Sequence, residues 1–365
     1  MKIHYLVTSL ETGGAEFAIP DIVTTLQSLG HDVSIIACEP RDLGAVPRLN
    51  AAGLPYTILA SRRRKLPIIL AAYLRVVHRD RPDIIWTSLS FANLVGQCAA
   101  KILGVPIISF KHSASVRRYT YLLRNWSTLW VGDSQTVVEY LQQHMSIPAD
   151  KVLPWPLFQS DAHAPQAAYW DGHSRLHIGS VGRLHEVKQY AALIDALALY
   201  LDKHPERRSC LQLTILGDGP ERERLEDKII EKNLQGIICL PGFSADVNQF
   251  LSGLHLYVQP SRYEGMCLAL HEAMNVGLPV MATPVGEMRD AVQEGKTGFV
   301  LAGTLDTALE SALEQIFAHP DQLARCGVNA REYVLQKFSH QQFVKAAERI
   351  LAQLPVTSTQ HYSVG

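Results

Sequence analysis

The sequence predicts an α/β protein built from two Rossmann-like, doubly wound parallel-sheet domains that face a central cleft. Three observations carry this. Short β-rich runs alternate with helical stretches almost throughout, the pattern of stacked βαβ units. The length, 365 residues, exceeds one comfortable core and suits two domains. A proline-rich stretch without periodicity, "LPWPLFQSDAHAPQAAYWDGHS", divides the chain near its middle.

In the first half the strand candidates are "IHYLVTS", "DVSIIAC", "PYTIL", "DIIWTS", "PIISF" and "TLWVG", with helical patterns at 66–79 and in "SQTVVEYLQQH". The second half repeats the scheme with "LHIGSVG", "LQLTILG", "GIICLPG", "LHLYVQP" and "LPVMATP", and with helices such as "YAALIDALALYLDKH" and "ERERLEDKIIEK". The expected boundaries are a first domain at 1–155, a linker at 156–174, a second domain at 175–338 and a frayed tail at 355–365. A helix at about 339–354 is expected to pack back on the first domain. Open parallel sheets bind ligands beyond the carboxyl ends of their strands, so the chemistry is sought in strand-to-helix loops.

Hydrophobic residues make up 47% and charged residues 19%, enough to bury a core. The net charge is −1 but unevenly spread: 16 Lys+Arg against 11 Asp+Glu up to Trp155 (+5), then 18 against 24 (−6). That balance fits a first half that meets an anionic surface or acceptor, and equally a scatter of solvated charge. The six cysteines are far apart and show no CxxC pair, which fits free thiols in a reducing compartment and neither a disulfide frame nor a zinc site. The opening "MKIHYLVTSL" lacks a leader's apolar core and cleavage site, and "LPIILAAYLRVV" breaks at Arg75 before spanning length. The expected location is cytoplasmic, at most resting on a membrane.

Three loops are candidates for holding a phosphate. "LVTSLETGGAEFA" leads from a strand through Gly13 and Gly14 into a helix whose free N–H groups suit an anion. A tight turn explains the glycines as well, and the spacing is not GxGxxG. In "SVGRLHEVKQY", Arg183 and Lys188 follow a strand directly. A two-pronged donor and a compact point charge together suit a diphosphate, although isolated surface cations look the same. In "ILGDGPERERL", Gly217 and Gly219 first suggest a turn, and second a backbone close to ligand.

"SRYEGMCLALHEAM" sets Glu264 and Glu272 on either side of an expected helix start near Cys267 or Leu268. Two acids beside a phosphate repel it unless they bind hydroxyls, so the pattern suggests a ribose on one side and a hexose on the other. The alternative is a helix N-terminus that favours nearby negative charge.

Taken together, "GGAE", "VGRLHEVK", "ILGDGPERERLE", "LPGFSADV", "PSRYEGMCLALHEAMNVGLPVMATPVGE" and "GKTGFV" resemble, in order, the retaining glycosyltransferases of family 4, which have the GT-B fold. The E-x7-E segment is the specific part of the resemblance. It implies that Arg183 and Lys188 neutralise the donor's diphosphate, that Glu272 holds the ribose and that Glu264 holds the transferred sugar. It places backbone N–H groups around Cys267, Leu268 and Ala269 on the phosphate, Phe243 at the nucleobase, Gly14 toward donor or acceptor, and His112 near the donor sugar. Many relatives have Phe-Gly where this chain has Met266-Cys267, and an Asn-Gly turn where it has "PWPL".

The implied reaction moves a hexose-type sugar from a UDP- or GDP-linked donor to a glycan or lipid-linked saccharide, in cell-surface polysaccharide or lipopolysaccharide synthesis. No cofactor and no metal are expected, because the cations do a metal's work on the leaving group. The basic runs Arg62, Arg63, Arg64, Lys65 and Arg117, Arg118 mark an acceptor edge or a peripheral contact with anionic membrane. No nucleic-acid partner is expected. Two further readings stand beside this one: a GT-B nucleotide-sugar epimerase, and a catalytically silent relative that acts as a partner protein.

Overall fold

The computed structural model describes residues 1–115, 117–244 and 246–354. The chain forms two compact units, Met1–Gln159 together with the segment from His340, and Ser160–Ser339. The expected tail at 355–365 lies outside the described residues.

The first unit carries a parallel sheet of β1 (Lys2–Val7), β2 (Asp32–Ala37), β3 (Tyr56–Ile58), β4 (Ile84–Ser88), β5 (Ile107–Lys111), β6 (Leu129–Gly132) and β7 (Val152–Pro154). Their spatial order is β3-β2-β1-β4-β5-β6-β7. Sequence order therefore reverses between β1 and β4. Every residue of β4 and β5 is buried, as strands covered on both faces require. Behind the first glycines the helix is broken. Gly14–Phe17 forms one turn and Ile19–Ser28 a second helix, with Ala18 between them. Pro20 falls in the first turn of the second helix, where its missing N–H costs least, and its ring crowds the carbonyl four residues back, so the chain kinks at Ala18.

β7 lies where the sequence shows only the start of a linker. Trp155, just after it, is fully buried. Its ring lies 5.3 Å from Trp86, 6.1 Å from Phe110 and 5.1 Å from Phe343. Phe343, Ala347 and Ile350 form the buried stripe of helix His340–Ala352, spaced as one helical face. This aromatic cluster holds the last helix in the first unit.

The second unit is built on β8 (Leu176–Val181), β9 (Leu211–Leu216), β10 (Ile238–Gly242), β11 (Leu256–Gln259), β12 (Val280–Ala282) and β13 (Gly298–Val300). All are parallel, in the order β10-β9-β8-β11-β12-β13. The reversal falls between β8 and β11, so the loops after those two strands flank the natural ligand crevice. The division between units falls inside the expected linker, and 160–174 is packed rather than free. Ala167 N–H donates to Val276 O at 2.8 Å, and buried Trp170 meets the Phe317 ring edge-on at 5.5 Å. Among the described residues no helix is long and apolar enough to cross a membrane.

Candidate donor site

The loop after β8 has little freedom. A Cβ on Gly182 would lie 2.8 Å from the Tyr190 hydroxyl and 3.4 Å from Lys188 Cε, so glycine is needed there for both side chains to pack. A short 3-10 turn, Glu186–Lys188, brings Lys188 round; its start is capped by His185 Nδ1 accepting from Val187 N–H. Arg262 N–H donates to Val187 O at 2.8 Å, which ties this loop to the one after β11.

Across that tie Lys188 Nζ donates to Glu264 Oε1 at 2.7 Å. Burial alone would depress the ammonium; the Glu264 carboxylate outweighs it and holds Lys188 well above its usual value, a fixed cation. Ser261 Oγ donates to the same Oε1 at 2.6 Å. Arg183 is exposed and has no hydrogen-bond or ion-pair partner among the described residues.

Helix Leu268–Asn275 begins where the sequence places it, with Cys267 as N-cap. The N–H groups of Leu268 and Ala269 belong to the first turn and have no intrahelical acceptor. Both residues are half-buried, as is Glu272 one turn on. Glu287 N–H donates to Gly265 O, and Gly286 packs so closely on the 264–265 backbone that a Cβ would lie 2.6 Å from Gly265 O.

On the other side of β8, Gly217 has φ +142° and an added Cβ would lie 2.0 Å from Gly182 O. Its glycine is demanded by the close approach of two loops. Gly217 N–H donates to Gly242 O at 2.8 Å, and Phe243, the next residue, is 59% exposed. Phe243, Gly217, Arg183 with Lys188, and Glu264 with the helix start thus succeed one another at the carboxyl ends of β10, β9, β8 and β11.

The remaining candidates lie in the first unit. His112 follows β5; its Nε2 is 2.7 Å from Ser88 Oγ, its Nδ1 3.9 Å from Asp133 Oδ2, and its ring 4.4 Å from Phe110. Burial first, and then the Lys111 ammonium, lower it to about 3, so the ring is neutral. Gly14 opens the single turn after β1, and the nearby Glu16 carboxyl is buried and pushed up to about 7 by that burial. Arg62, Arg63, Arg64 and Lys65 are exposed before helix Leu66–Asp80, and Arg117 and Arg118 are exposed at the start of helix Arg118–Leu122.

Two family models divide the chain between them. "Glycosyltransferase Family 4" matches residues 12–158 and "Glycosyl transferases group 1" matches residues 173–333. This chain belongs to the family 4 glycosyltransferases. Among relatives, a D-inositol 3-phosphate glycosyltransferase of Streptomyces scabiei is 26% identical over 79% of this chain and 72% of its own length. The Vi polysaccharide biosynthesis protein VipC/TviE of Salmonella typhi is 27% identical over 71% of this chain. The match spans only 43% of that Salmonella protein. Anabaena Alr3699/HepE, solved in complex with UDP-glucose, superposes with a TM-score of 0.83 at 21% identity, over 97% of this chain and all of that one. Sucrose-phosphate synthase from Thermosynechococcus elongatus superposes at 0.80 with 19% identity, over 97% of this chain and 98% of its own. The two-sheet architecture is the GT-B fold.

In this family 4 glycosyltransferase the departure at Met266-Cys267 carries a backbone cost. Cys267 has φ +55°, a left-handed conformation that glycine adopts freely and cysteine does not. Its thiol is buried, and burial followed by the Glu264 charge pushes it far above the usual range, so it is no nucleophile.

Sequence reasoning missed the partners that hold Glu264. Tyr257 OH donates to Gln259 Oε1 at 2.7 Å, and Gln259 Nε2 donates to Ser261 Oγ at 2.8 Å. A glutamine in the apolar run "LHLYVQP" was the available signal.

Proposed function

We propose that this chain transfers a hexose-type sugar from a nucleoside-diphosphate sugar to a glycan or lipid-linked saccharide, with retention at the anomeric carbon. One observation carries the donor half. At the β8/β11 reversal Lys188, a fixed cation, is bonded to the carboxylate of Glu264, Arg183 follows the same strand β8 without a partner among the described residues, and a helix starts at Leu268 shortly after Glu264. Leaving-group charge grows on a diphosphate as the glycosidic bond breaks, and cations already in place oppose it without reorganising. Glu264 then binds sugar hydroxyls and Glu272 the ribose, while Phe243 stacks on the base. Strands lie about 4.8 Å apart, so the four strand ends from β10 to β11 cover about 14 Å, room for a base at one end and a sugar at the other. UDP is the favoured carrier, supported by the UDP-glucose named with the Anabaena neighbour.

No metal enters this scheme, because Arg183 and Lys188 supply the charge. Turnover undiminished by a chelator supports that, and an absolute requirement for Mg²⁺ or Mn²⁺ would overturn it. Proton NMR of the first-formed product decides retention. The donor reading is tested by thermal shift with UDP-, GDP- and ADP-sugars, repeated on Lys188→Ala. A ligand at 100 times its Kd stabilises by about 2.7 kcal/mol, and that shift disappears in the variant. A panel without any shift in the wild-type protein ends the reading.

The acceptor half draws on the first unit. Residues 43–132 hold 13 Lys+Arg and two Asp+Glu, Asp80 and Asp83. Exposed Tyr121, Leu122 and Trp126 interrupt the cations Arg117, Arg118 and Arg124. We propose that the exposed basic segments at 62–65 and 117–124 meet an anionic lipid surface that carries the acceptor. Each cation near such a surface contributes about 1 kcal/mol, and the aromatic rings suit its interface. Sedimentation with vesicles of 30% phosphatidylglycerol, but not with neutral ones, is the expected result. Synthesis of a cell-surface polysaccharide or lipopolysaccharide is the setting supported by relatives such as the Vi polysaccharide protein.

A further inference from the structure

Glu264 Oε1 already accepts from two donors, Lys188 Nζ at 2.7 Å and Ser261 Oγ at 2.6 Å. Its Oε2 has no hydrogen-bond partner among the described residues. One oxygen is thus held by the protein and the other is left to a ligand. What fixes the held oxygen can be traced backward, because every donor in the series is determined. An ionised carboxylate only accepts, so Ser261 must donate to it. Ser261 Oγ then offers its lone pairs to Gln259 Nε2 at 2.8 Å, which turns the amide so that Oε1 faces Tyr257. Tyr257 OH must donate to that Oε1, at 2.7 Å. The tyrosine oxygen accepts in turn from Val181 N–H at 3.4 Å. Tyr257, Gln259 and Ser261 are fully buried. Burial raises Tyr257 well above its usual value, so it keeps its proton at any working pH.

The series therefore runs one way, from the end of β8 through three side chains on and after β11 to Glu264. Lys188 closes the circuit back to the loop that β8 feeds. An amide between two hydroxyls passes no proton, so the series orients a group and transfers nothing. Aligned donors polarise one another in a dry interior.

We infer that Tyr257, Gln259 and Ser261 are positioning residues for the donor sugar: they lock the Glu264 carboxylate so that its free oxygen faces a sugar hydroxyl. This rests on the donor reading above. Loss of the lock lets the carboxylate rotate, which weakens recognition of the sugar and leaves the grip on the diphosphate untouched.

The test is binding of UDP against UDP-glucose, with GDP against GDP-mannose as the second base, to Tyr257→Phe, Ser261→Ala and the wild-type protein. Tyr257→Phe removes one oxygen and keeps the ring; Ser261→Ala serves if the first variant misfolds. The expected result is bare-nucleotide affinity within about twofold of wild type. Against the nucleotide sugar, kcat/KM falls about tenfold for Tyr257→Phe and about 10–100-fold for Ser261→Ala, the usual worth of a neutral and a charge-assisted hydrogen bond. A smaller affinity gap between sugar-loaded and bare nucleotide is the signature that general loosening does not give. Equal losses for both ligands, or turnover unchanged in both variants, overturn the inference. A wild-type protein that binds no nucleoside diphosphate overturns the donor reading along with it.

Discussion

Lys188 Nζ and Glu264 Oε1 lie 2.7 Å apart, joining the loops after β8 and β11 through one mostly buried ion pair. Removing a single partner of such a pair leaves a charge without compensation, whereas removing both does not. Lys188→Ala is therefore expected to lower stability by about 3 kcal/mol and turnover by about 10²–10³-fold. The double variant Lys188→Met/Glu264→Leu recovers the stability and none of the turnover. Urea unfolding of wild type, Lys188→Met, Glu264→Leu and the double variant checks the cycle. Equal destabilisation by single and double variants would contradict the pairing.

Arg183 makes the contrasting prediction. It is exposed and has no partner among the described residues, so Arg183→Ala shifts stability by no more than about 0.5 kcal/mol. If its fork meets the diphosphate, turnover still drops about 10²–10³-fold, and Arg183→Lys restores only part of it. A variant with full turnover removes Arg183 from the donor site.

Cys267 occupies a left-handed backbone at φ +55°. That conformation costs a side-chain-bearing residue about 1–2 kcal/mol, against about 0.4–1 kcal/mol for the extra freedom glycine has when unfolded. Cys267→Gly is expected to stabilise by up to about 1 kcal/mol and to preserve turnover, while Cys267→Val destabilises. Alkylation by iodoacetamide leaves the native enzyme active, since the thiol is buried and protonated. Loss of activity in Cys267→Gly would give the thiol a role that this geometry denies it.

How legible this was from sequence depended on what each feature rests upon. The long strands and helices follow periodicity, so Leu66–Asp80 and Tyr190–Lys203 were visible within a residue or so. β7 and β13 span three residues each and are hidden by the prolines of "LPWPL" and the glycines of "GKTGFV", whereas the equally short β3 and β12 sit in the longer β-rich runs "PYTIL" and "LPVMATP". Trp155 sits in a proline-rich stretch that reads as linker, yet its burial depends on Phe343, nearly two hundred positions away. Most of the charged residues proposed for the site were readable because they lie in loops after strands, whereas Glu272 lies inside helix Leu268–Asn275. Their restraints were not: Gly182 is explained by Tyr190, and Glu264 by a tyrosine and a glutamine on the preceding strand. Such relations exist only once β8 and β11 lie side by side.

Three buried histidines and one buried glutamate contribute to the pH response. Burial lowers His4 and His271 to about 4 and His112 to about 3, from 6.5. Each contributes stability that is present above 6.5 and lost as pH falls toward 4, because the unfolded chain binds the proton first. Glu16 has the opposite sign: burial raises it from 4.5 to about 7, so its contribution is present below 4.5 and lost as pH rises through 7. Each histidine steepens the acid limb by up to about 1.4 kcal/mol per pH unit. Thermal melting should therefore fall sharply from pH 6 to pH 4.5. Glu16→Gln should match wild type at pH 4 and exceed it by about 2–3 kcal/mol at pH 8. Parallel curves for the two proteins would show that Glu16 ionises normally.

Phe243 is a large apolar ring that the folded second unit leaves 59% exposed, at the end of β10 beside Gly217. The unit's own core has no use for it, so Phe243→Ala should leave melting unchanged without ligand. Stacking on a base contributes about 1–3 kcal/mol, so the same change should weaken UDP binding about tenfold or more. Phe243→Trp, with a broader face, should keep or tighten it. The loss should be equal for UDP and UDP-glucose, since the ring lies at the opposite end of the strand-end row from Glu264. Titration calorimetry with both ligands measures this. A loss confined to UDP-glucose would place the sugar, and not the base, at Phe243 and reverse the direction in which the donor is read along the sheet.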